Sequence, residues 1–428
     1  MTKPMHGVLA NFWILVRGRG AAAIMAFAAT ALMARALGPV EFGMVVLIHT
    51  YAMLLRALLD FGTADAMVRY GVPALDDGNN KTLARLIRVC RRVDRRTSAM
   101  ATVLALIIAP MAGPLMGMDP HHVTLLAAYS VVLITTGTGT SMGILRLYDR
   151  VDIIGRQMTI APIVLFFGVV LAWWFESSLQ VFIAIRAAAY AAENFYLMWH
   201  AKQKYNERLK PVLAGVEIKD VTLGDFNGLR QFLWVIYWQS NLDVLPKHTT
   251  SLLVGYLLGP AEAGMLRLAR EISSLLAKPA LLIRQVVFLD LTRSWNQGSD
   301  AFKVITYSTV ALGGALGLVF VALSYFFGDV LLARLLGKDF AAAAPVLTLM
   351  LLAATFDLSA SPLRSALYAS GHAAKVLRFY VLSTFVYLAL LVMLTSKLGL
   401  IGAGVAATAA SLIPLIGMLI LMYFKRPT

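Results

Sequence analysis

Twelve long apolar stretches dominate this sequence. Each is long enough to cross the ~30 Å hydrocarbon layer of a membrane as a helix that rises ~1.5 Å per residue. None shows the ten-residue alternation of barrel strands, and backbone groups in lipid must be hydrogen-bonded internally, so helices are predicted. The sequence therefore predicts an all-α polytopic membrane protein of about twelve transmembrane helices. The stretches lie at 12–36, 42–67, 97–118, 123–145, 157–176, 178–200, 231–257, 261–287, 303–327, 341–365, 376–396 and 399–423.

The composition excludes a soluble globular protein. Of the 428 residues, 59% are hydrophobic and 14% are charged, whereas soluble domains carry roughly 25% charged residues. The net charge of +15 would raise nucleic acid as a partner of a soluble chain. Here it is explained by basic loops on one side of a membrane, so no nucleic acid is expected. The single cysteine, Cys90, excludes a disulfide framework and a cysteine metal cluster.

The basic residues predict the orientation of the chain in the membrane. With the N-terminus inside, the segments that face the cytoplasm hold 28 Lys and Arg residues and the outer loops hold four. This asymmetry predicts that both termini are cytoplasmic. The basic run from Lys81 to Arg96 is predicted to contact the inner leaflet, with docking of a cytoplasmic protein as the alternative.

The two halves of the chain repeat. The segment from Leu37 to Met44 (LGPVEFGM) recurs 221 residues later, from Leu258 to Met265 (LGPAEAGM), with six of eight positions matching. Each Gly-Pro pair is predicted to end one helix on the outer side. A second echo, at an offset of 220, pairs Leu147-Tyr148 with Leu367-Tyr368. The repeat predicts two six-helix lobes, residues 1–215 and 216–428, related by a pseudo-two-fold axis along the membrane normal, with a cavity between them.

Charged residues within the spans are the candidate functional groups. A charge at the centre of a span costs ~2.5–3.5 kcal/mol and usually faces a polar cavity. The predominance of arginine suits phosphate, because a guanidinium binds it with two parallel hydrogen bonds. The candidates for substrate binding are Arg17, Arg19, Arg56, Arg267 and Arg270, and those for ion coupling or an acidic cavity are Asp60, Asp243 and Glu271.

Several of these residues have a simpler structural interpretation. Arg17 and Arg19 lie near the inner end of the first span and are equally expected to reach the inner headgroups. Arg56 and Asp60 are four residues apart and are predicted to share a helical face, so they are also interpreted as a buried structural pair. Arg267 and Glu271 have the same spacing. Arg270 has no acidic residue four positions away and is the strongest candidate.

The sequence carries no catalytic motif. It has no glycine-rich phosphate loop followed by Lys-Ser/Thr, no paired aspartates of a magnesium-dependent transferase, and no spacing of metal ligands. These features predict a transporter that is not an enzyme and has no cofactor. Coupling to a proton or Na⁺ gradient is left open.

Four segments carry a family resemblance. Met33–Gly43 resembles the junction between the first two helices of the polysaccharide flippases in the multidrug/oligosaccharidyl-lipid/polysaccharide (MOP) exporter superfamily. Leu54–Tyr70, which contains Leu-Asp-Phe-Gly, resembles the second helix of that family. Leu258–Arg270 is similar to the corresponding junction of the second half, and Leu147–Arg150 to the turn between the fourth and fifth helices.

The resemblance implies a V-shaped pair of lobes that opens alternately to each side. It implies that a basic cavity, formed by the first, second, seventh and eighth helices, engages the pyrophosphate of an undecaprenyl-linked oligosaccharide. The lipid tail would occupy a lateral groove. The expected setting is the bacterial inner membrane and the assembly of lipopolysaccharide O-antigen or exopolysaccharide, with membrane lipids, a polysaccharide polymerase and glycosyltransferases as partners.

Three other functions remain open. A multidrug or cation antiporter of the same fold would depend on acidic cavity residues rather than arginines. A lipid II flippase would commonly have two further helices. An integral-membrane glycan polymerase or ligase would need a large outer loop, and the loops predicted on that side are short.

Overall fold

The computed structural model describes residues 3–212, 221–275 and 299–424, which contain helices and no strands. The predicted all-α fold is therefore confirmed for these residues. Short 3₁₀ helices occur at Val131–Thr136, Leu223–Asp225 and Lys338–Ala343. The α-helices are α1 (Lys3–Leu58), α2 (Thr63–Asp76), α3 (Asn80–Leu115), α4 (Pro120–Ser130), α5 (Gly139–Leu147), α6 (Val151–Trp174), α7 (Leu179–Arg208), α8 (Leu229–Leu258), α9 (260–275), α10 (Ser299–Leu336), α11 (Ala344–Ala369), α12 (Ala373–Leu398) and α13 (Leu400–Phe424).

The helices supply the twelve predicted spans. The described residues contain 8 helical segments that are long and apolar enough to cross a membrane. One of them, Gly20–Asp76, contains the second predicted span and most of the first. The helices α7 and α8 coincide with the sixth and seventh predicted spans, and α9 coincides with the described part of the eighth, whose residues 276–287 lie outside the described residues.

Both Gly-Pro pairs of the repeat interrupt a helix as predicted. Gly38 has a φ of 72° and a ψ of 176°, which breaks α1 into two helices before Pro39. Gly259 has a φ of 107° and separates α8 from α9 before Pro260. A positive φ is accessible to glycine without a steric penalty, and proline cannot continue the hydrogen bonding of the preceding helix. The same two residues therefore make the same turn in each half.

Two equivalent glycines of the repeat pack against each other. A Cβ atom added to Gly43 would overlap the carbonyl group of Pro260, and one added to Gly264 would lie 3.0 Å from the Gly43 Cα atom. Gly43 and Gly264 occupy the same position in the two copies of the repeat. Small residues allow helix backbones to approach closely in membranes, where packing drives association. The repeated motif therefore serves as a helix crossing as well as a turn.

Two predicted spans are interrupted, which the apolar pattern did not predict. The second span is helical to Leu58, is interrupted at 59–62 and resumes as α2 at Thr63. The fourth span changes from α4 to a 3₁₀ helix at Val131–Thr136 and resumes as α5 at Gly139. The interruptions carry only short polar signals, Asp60 with Gly62 in the first and Thr135 to Thr138 in the second, within spans that are apolar overall, so hydropathy alone predicted continuous helices.

The chain divides into two compact units. Unit 1 comprises Met1–Leu37 and Ile48–Thr249, and unit 2 comprises Gly38–Leu47 and Thr250–Thr428. In unit 2, α11 packs against α10 and α13, and α12 packs against α13. The predicted lobe boundary between residues 215 and 216 falls in 213–220, outside the described residues, and it remains a prediction.

Unit 1 extends beyond the membrane on the side that carries the basic segments, which we call the basic side. At ~1.5 Å per residue, α3 is roughly 54 Å long, whereas the hydrocarbon layer is ~30 Å thick. Its first half contains the basic run from Lys81 to Arg96 and buries one apolar face against α2, α5 and α7. Cys90 lies in this hydrophobic cluster.

Part of the basic run is used inside the protein. The Arg92 guanidinium donates to the backbone oxygen of Val221 at 2.8 Å. Arg85 lies 3.6 Å from Asp225, and Arg91 lies over the ring of Tyr205 at 5.5 Å. These three arginines hold the basic-side helices and the segment before α8 together, and contact with the inner leaflet remains a prediction for the rest of the run.

The close contact between the backbones at Gly43 and Gly264 predicts that a larger residue at Gly43 destabilises the protein. Gly43→Ala should destabilise the protein by about 1–3 kcal/mol, because the new methyl group would overlap backbone atoms that have no side-chain freedom to move away. Thermal unfolding of the purified protein in detergent measures the change. Gly20→Ala is the matched control, because nothing lies within 4 Å of the added Cβ. An unchanged unfolding temperature for Gly43→Ala would contradict the close backbone contact at Gly43.

Candidate functional site

The two helix interruptions in unit 1 line one polar cavity. The cavity has a volume of about 220 Å³, and we call it the interrupted-helix cavity. Its wall combines the break after α1, the first turn of α2, the middle of α3, the break before α5 and one serine of α8. The polar residues of the wall are Arg56, Asp60, Thr63, Asp65, Asp94, Thr97, Ser98, Thr136, Thr138, Arg146 and Ser240.

Asp94 of α3 joins the two interruptions. Its carboxylate accepts a hydrogen bond from the Thr63 hydroxyl, at the first residue of α2. It also accepts one from the Thr140 backbone N–H, in the first turn of α5, at 2.7 Å. The first N–H groups of a helix have no partner within the helix, and the positive end of the helix dipole attracts an anion. The buried Asp94 side chain therefore satisfies one backbone N–H of α5 and holds the Thr63 side chain at the start of α2.

Arg56 lies near the end of α1 and lines the interrupted-helix cavity. It also lines a second cavity of about 120 Å³ together with Asp60, Ser240 and His248. At ~1.5 Å per residue, Arg56 lies roughly 26 Å from the turn at Pro39, which corresponds to the basic-side edge of a hydrocarbon layer ~30 Å thick. A guanidinium at this position is able to bind an anion that enters either cavity.

The predicted shared helical face of Arg56 and Asp60 is wrong. The α1 helix ends at Leu58, and Asp60 lies in the interruption, where its carboxylate accepts the Gly62 N–H at 3.0 Å. The two side chains nevertheless interact electrostatically. Asp60 lines both cavities with Arg56, so it faces the same polar space from the loop rather than from the helix.

A polar cluster on α7 lies beside Arg56. Arg56 interacts electrostatically with Tyr190 and Glu193, and the Gln157 amide of α6 donates to Glu193 at 2.7 Å. His49 Nδ1 lies 2.7 Å from the Tyr129 hydroxyl of α4. Sequence reasoning missed His49, Tyr129, Tyr190 and Gln157, because each is one uncharged polar residue in an apolar run. Their only sequence signal is their polarity within a span.

Arg146 is a second arginine of the interrupted-helix cavity that sequence reasoning assigned only to a loop. It lies near the end of α5, and its guanidinium forms an ion pair with Asp65 of α2 at 2.9 Å. Both side chains are about half exposed. A partly exposed ion pair contributes little to stability, so an anionic ligand is able to displace the carboxylate at low cost.

The structure separates the predicted site residues into groups. Arg56 and Asp60 line the cavities of unit 1, whereas Arg267, Arg270 and Glu271 lie on α9 in unit 2. The predicted pair of Arg267 and Glu271 is present, with Nε and Oε2 3.5 Å apart. Arg270 is partly buried and interacts electrostatically with Tyr387 of α12. The side chains of Arg17, Arg19 and Asp243 lie outside the described residues.

The cavity wall offers groups that bind a ligand by charge and by hydrogen bonding. Within 3–212, 221–275 and 299–424, no group of three or more His, Cys, Asp or Glu side chains is arranged to hold a metal ion. The cavity offers two guanidinium groups, three carboxylates and several hydroxyls. Discontinuous helices that line a polar cavity are typical of the binding sites of secondary transporters.

Comparison with known proteins identifies the family. A family model described as polysaccharide biosynthesis protein matches residues 8–288, which is more than half of the chain. The chain belongs to this family. It is 24% identical over 283 residues to the inner membrane protein YghQ of Escherichia coli strain K12, which covers 64% of this chain and 79% of YghQ. The 8 apolar helical segments of the described residues make the chain a multi-pass membrane protein.

Comparison with solved structures identifies the fold. The structure of the lipid II flippase MurJ, in an inward closed conformation, superposes with a TM-score of 0.72 at 14% identity, over 96% of this chain and 87% of that one. An inward-facing MATE family multidrug resistance transporter of the MOP superfamily superposes with a TM-score of 0.65 at 16% identity, over 94% of each chain. The chain thus shares the helical fold of these two structures over at least 94% of its length.

The two hydrogen bonds that Asp94 accepts at the starts of α2 and α5 predict that its removal destabilises the protein. Asp94→Ala should lower the free energy of unfolding by about 1–3 kcal/mol, because the Thr140 N–H and the Thr63 hydroxyl lose their acceptor. Asp94→Asn should cost less, because its amide oxygen still accepts from Thr140. Thermal unfolding in detergent measures both.

The control for this prediction is Asp65→Ala, which removes a partly exposed carboxylate from the same cavity wall. It should change the unfolding temperature little, because exposed ion pairs contribute little to stability. Equal effects of Asp94→Ala and Asp65→Ala would contradict the assignment of Asp94 as the group that caps both helices.

Proposed function

We propose that this protein is a flippase for an undecaprenyl-pyrophosphate-linked oligosaccharide. It carries the lipid-linked glycan across the bacterial inner membrane for the assembly of lipopolysaccharide O-antigen or exopolysaccharide. Transport proceeds by alternating access around a basic cavity. Membership of the polysaccharide biosynthesis family supports this class of substrate.

The observation that carries the proposal is the position of Arg56 beside two interrupted helices. Arg56 lines both cavities of unit 1, and Arg146 of α5 lines the larger one. A pyrophosphate carries several acceptor oxygens on two phosphorus atoms, and each guanidinium presents a planar fork of donors to such a group. The two arginines are therefore the groups of this wall that suit a pyrophosphate, and its three carboxylates are balanced in part by the ion pair of Asp65 with Arg146 and the hydrogen bonds that Asp94 accepts.

The level of the cavity in the membrane also supports the proposal. The excess of Lys and Arg on the basic side supports the proposal that this side is cytoplasmic, with both termini on it. Arg56 then lies at the level of the inner-leaflet headgroups. This is the level at which a protein would meet the pyrophosphate of a lipid whose glycan was built in the cytoplasm. Arg267 and Arg270 of α9, with Arg17 and Arg19 of α1, are proposed to contact the headgroup later in the cycle.

Energy for uphill movement is proposed to come from a proton or Na⁺ gradient. Asp60 lines both cavities with Arg56 and is one acidic candidate for the coupling. Asp243 and Glu271 are the others. Glycosyltransferases that build the substrate and a polymerase that uses it are the proposed functional partners, and the protein itself performs no covalent chemistry.

Reconstituted transport tests this function. Proteoliposomes would be loaded with a fluorescent undecaprenyl-pyrophosphate oligosaccharide, and exposure of the label at the far leaflet would be measured with and without a proton or Na⁺ gradient. Arg56→Ala should lower the rate about ten- to hundredfold, as expected for the loss of charge-assisted hydrogen bonds. The transport rate of Arg56→Lys should lie between those of the native protein and Arg56→Ala, because lysine keeps the positive charge and loses the planar fork of donors. Arg270→Ala should also lower it.

The matched control is Arg156→Ala, because Arg156 is exposed on α6 and lies outside both cavities. It should leave the rate unchanged. Transport that persists at the native rate in Arg56→Ala would remove Arg56 from the site. Efflux of a cationic dye without glycan movement would favour the drug antiporter, and movement of lipid II alone would favour the lipid II flippase.

A further inference from the structure

A separate cavity lies on the side of unit 1 opposite the basic side. It is formed where α1 approaches Gly38 and where α6 is connected to α7. At ~1.5 Å per residue, the 24 residues of α6 span roughly 36 Å, so its end lies at the membrane surface. The cavity has a volume of about 540 Å³, which is within the usual range for a small-molecule site. Its side chains include Arg35, Trp173, Trp174, Glu176, Ser177 and Phe182.

Glu176 adopts a backbone conformation that favours glycine. It has a φ of 46°, and it directly follows the residue that caps α6. Glycine is the usual residue at such a position, because a side chain in the left-handed region costs free energy. The chain bears this cost with a long acidic side chain that lines the cavity. The carboxylate is therefore the feature of this residue that needs an explanation.

Two tryptophans form the apolar part of the cavity. Trp174 is 74% exposed and Trp173 is 46% exposed, so their rings are available to a ligand. Tryptophan at a membrane surface also anchors a helix among lipid headgroups. Phe175 is a control that distinguishes ligand binding from anchoring among headgroups, because it is 73% exposed on the same turn and does not line the cavity.

The charges of the cavity distinguish between ligands. Arg35 and Glu176 contribute one positive and one negative group, and Ser177 adds a hydroxyl. A phosphate headgroup would meet the carboxylate of Glu176, which repels it. An uncharged ligand with neighbouring hydroxyls suits a guanidinium and a carboxylate together, because one donates and the other accepts. The C–H faces of a sugar ring are apolar and suit an indole surface.

We propose that this cavity binds a sugar ring of the oligosaccharide on the outer side of the membrane. Trp174 packs against the face of the ring, and Arg35 and Glu176 hydrogen-bond to its hydroxyls. This inference rests on the proposed function, because a glycan reaches this side only after transport. The site would hold the glycan as the lipid leaves the transporter.

Sugar binding to the purified full-length protein in lipid nanodiscs tests the proposal. The probes are methyl pyranosides of the gluco, galacto, manno and N-acetylglucosamine configurations, and saturation-transfer NMR detects contact with the protein. At least one probe should bind. Trp174→Ala and Glu176→Gly should each weaken its binding about tenfold, as truncation of a central contact does. Phe175→Ala should leave the binding unchanged.

Glu176→Gly makes the test independent of folding. Glycine relieves the left-handed strain, so the thermal stability of this variant should not fall while sugar binding does. The proposal is wrong if no pyranoside binds, if binding survives in both cavity variants, or if Phe175→Ala weakens it equally. It is also wrong if sn-glycerol 1-phosphate displaces the sugar, since the cavity would then be a lipid headgroup site.

The proposed function and the proposed sugar site are tested independently of each other. Arg56→Ala should lower transport of the lipid-linked glycan about ten- to hundredfold and leave pyranoside binding intact. If the native protein moves no lipid-linked glycan in proteoliposomes but binds a pyranoside through Trp174 and Glu176, the proposed function is wrong and the sugar site stands. If transport depends on Arg56 and no pyranoside binds, only the sugar site is wrong.

Discussion

The requirement that every backbone group be hydrogen-bonded in a membrane governs this structure. A continuous helix meets it without help, whereas an interrupted helix leaves N–H groups that need other partners. Unit 1 interrupts two helices near the basic side, and the Asp94 carboxylate accepts hydrogen bonds at the start of both α2 and α5. The polar cavity exists because these interruptions are stabilised there, and Arg56 and Arg146 line it as a consequence of where the helices stop.

The repeated Gly-Pro motif meets the same requirement for backbone hydrogen bonding at the other side of the membrane. Gly38 and Gly259 turn the chain with a positive φ, and each following helix begins within a residue. Five residues after each turning glycine, Gly43 and Gly264 bring two backbones into contact. One short motif therefore supplies both a turn and a helix crossing, which explains why both of its glycines recur in the two halves.

The sequence predicted what hydropathy and charge control and missed what local hydrogen bonding controls. The twelve spans, the Gly-Pro turns and the pair of Arg267 with Glu271 follow from patterns that extend over several residues, and the structure confirms them. The interruptions at 59–62 and 131–138 lie within spans that are apolar overall, and the Asp94 carboxylate that accepts a hydrogen bond at the start of each following helix comes from a different part of the chain. For the same reason Asp60 does not share the helical face that the sequence predicted for it and Arg56. Arg146 lies one residue beyond the predicted fourth span and was not recognised as part of the cavity wall.

The central claim is that the pyrophosphate of a lipid-linked glycan binds beside Arg56 in the interrupted-helix cavity. The most direct measurement is a cryo-EM structure of the protein in nanodiscs with an undecaprenyl-pyrophosphate disaccharide. The account predicts phosphate density within hydrogen-bonding distance of the Arg56 guanidinium, with the Arg146–Asp65 pair opened. Phosphate density elsewhere, with the interrupted-helix cavity empty and that ion pair intact, would contradict it.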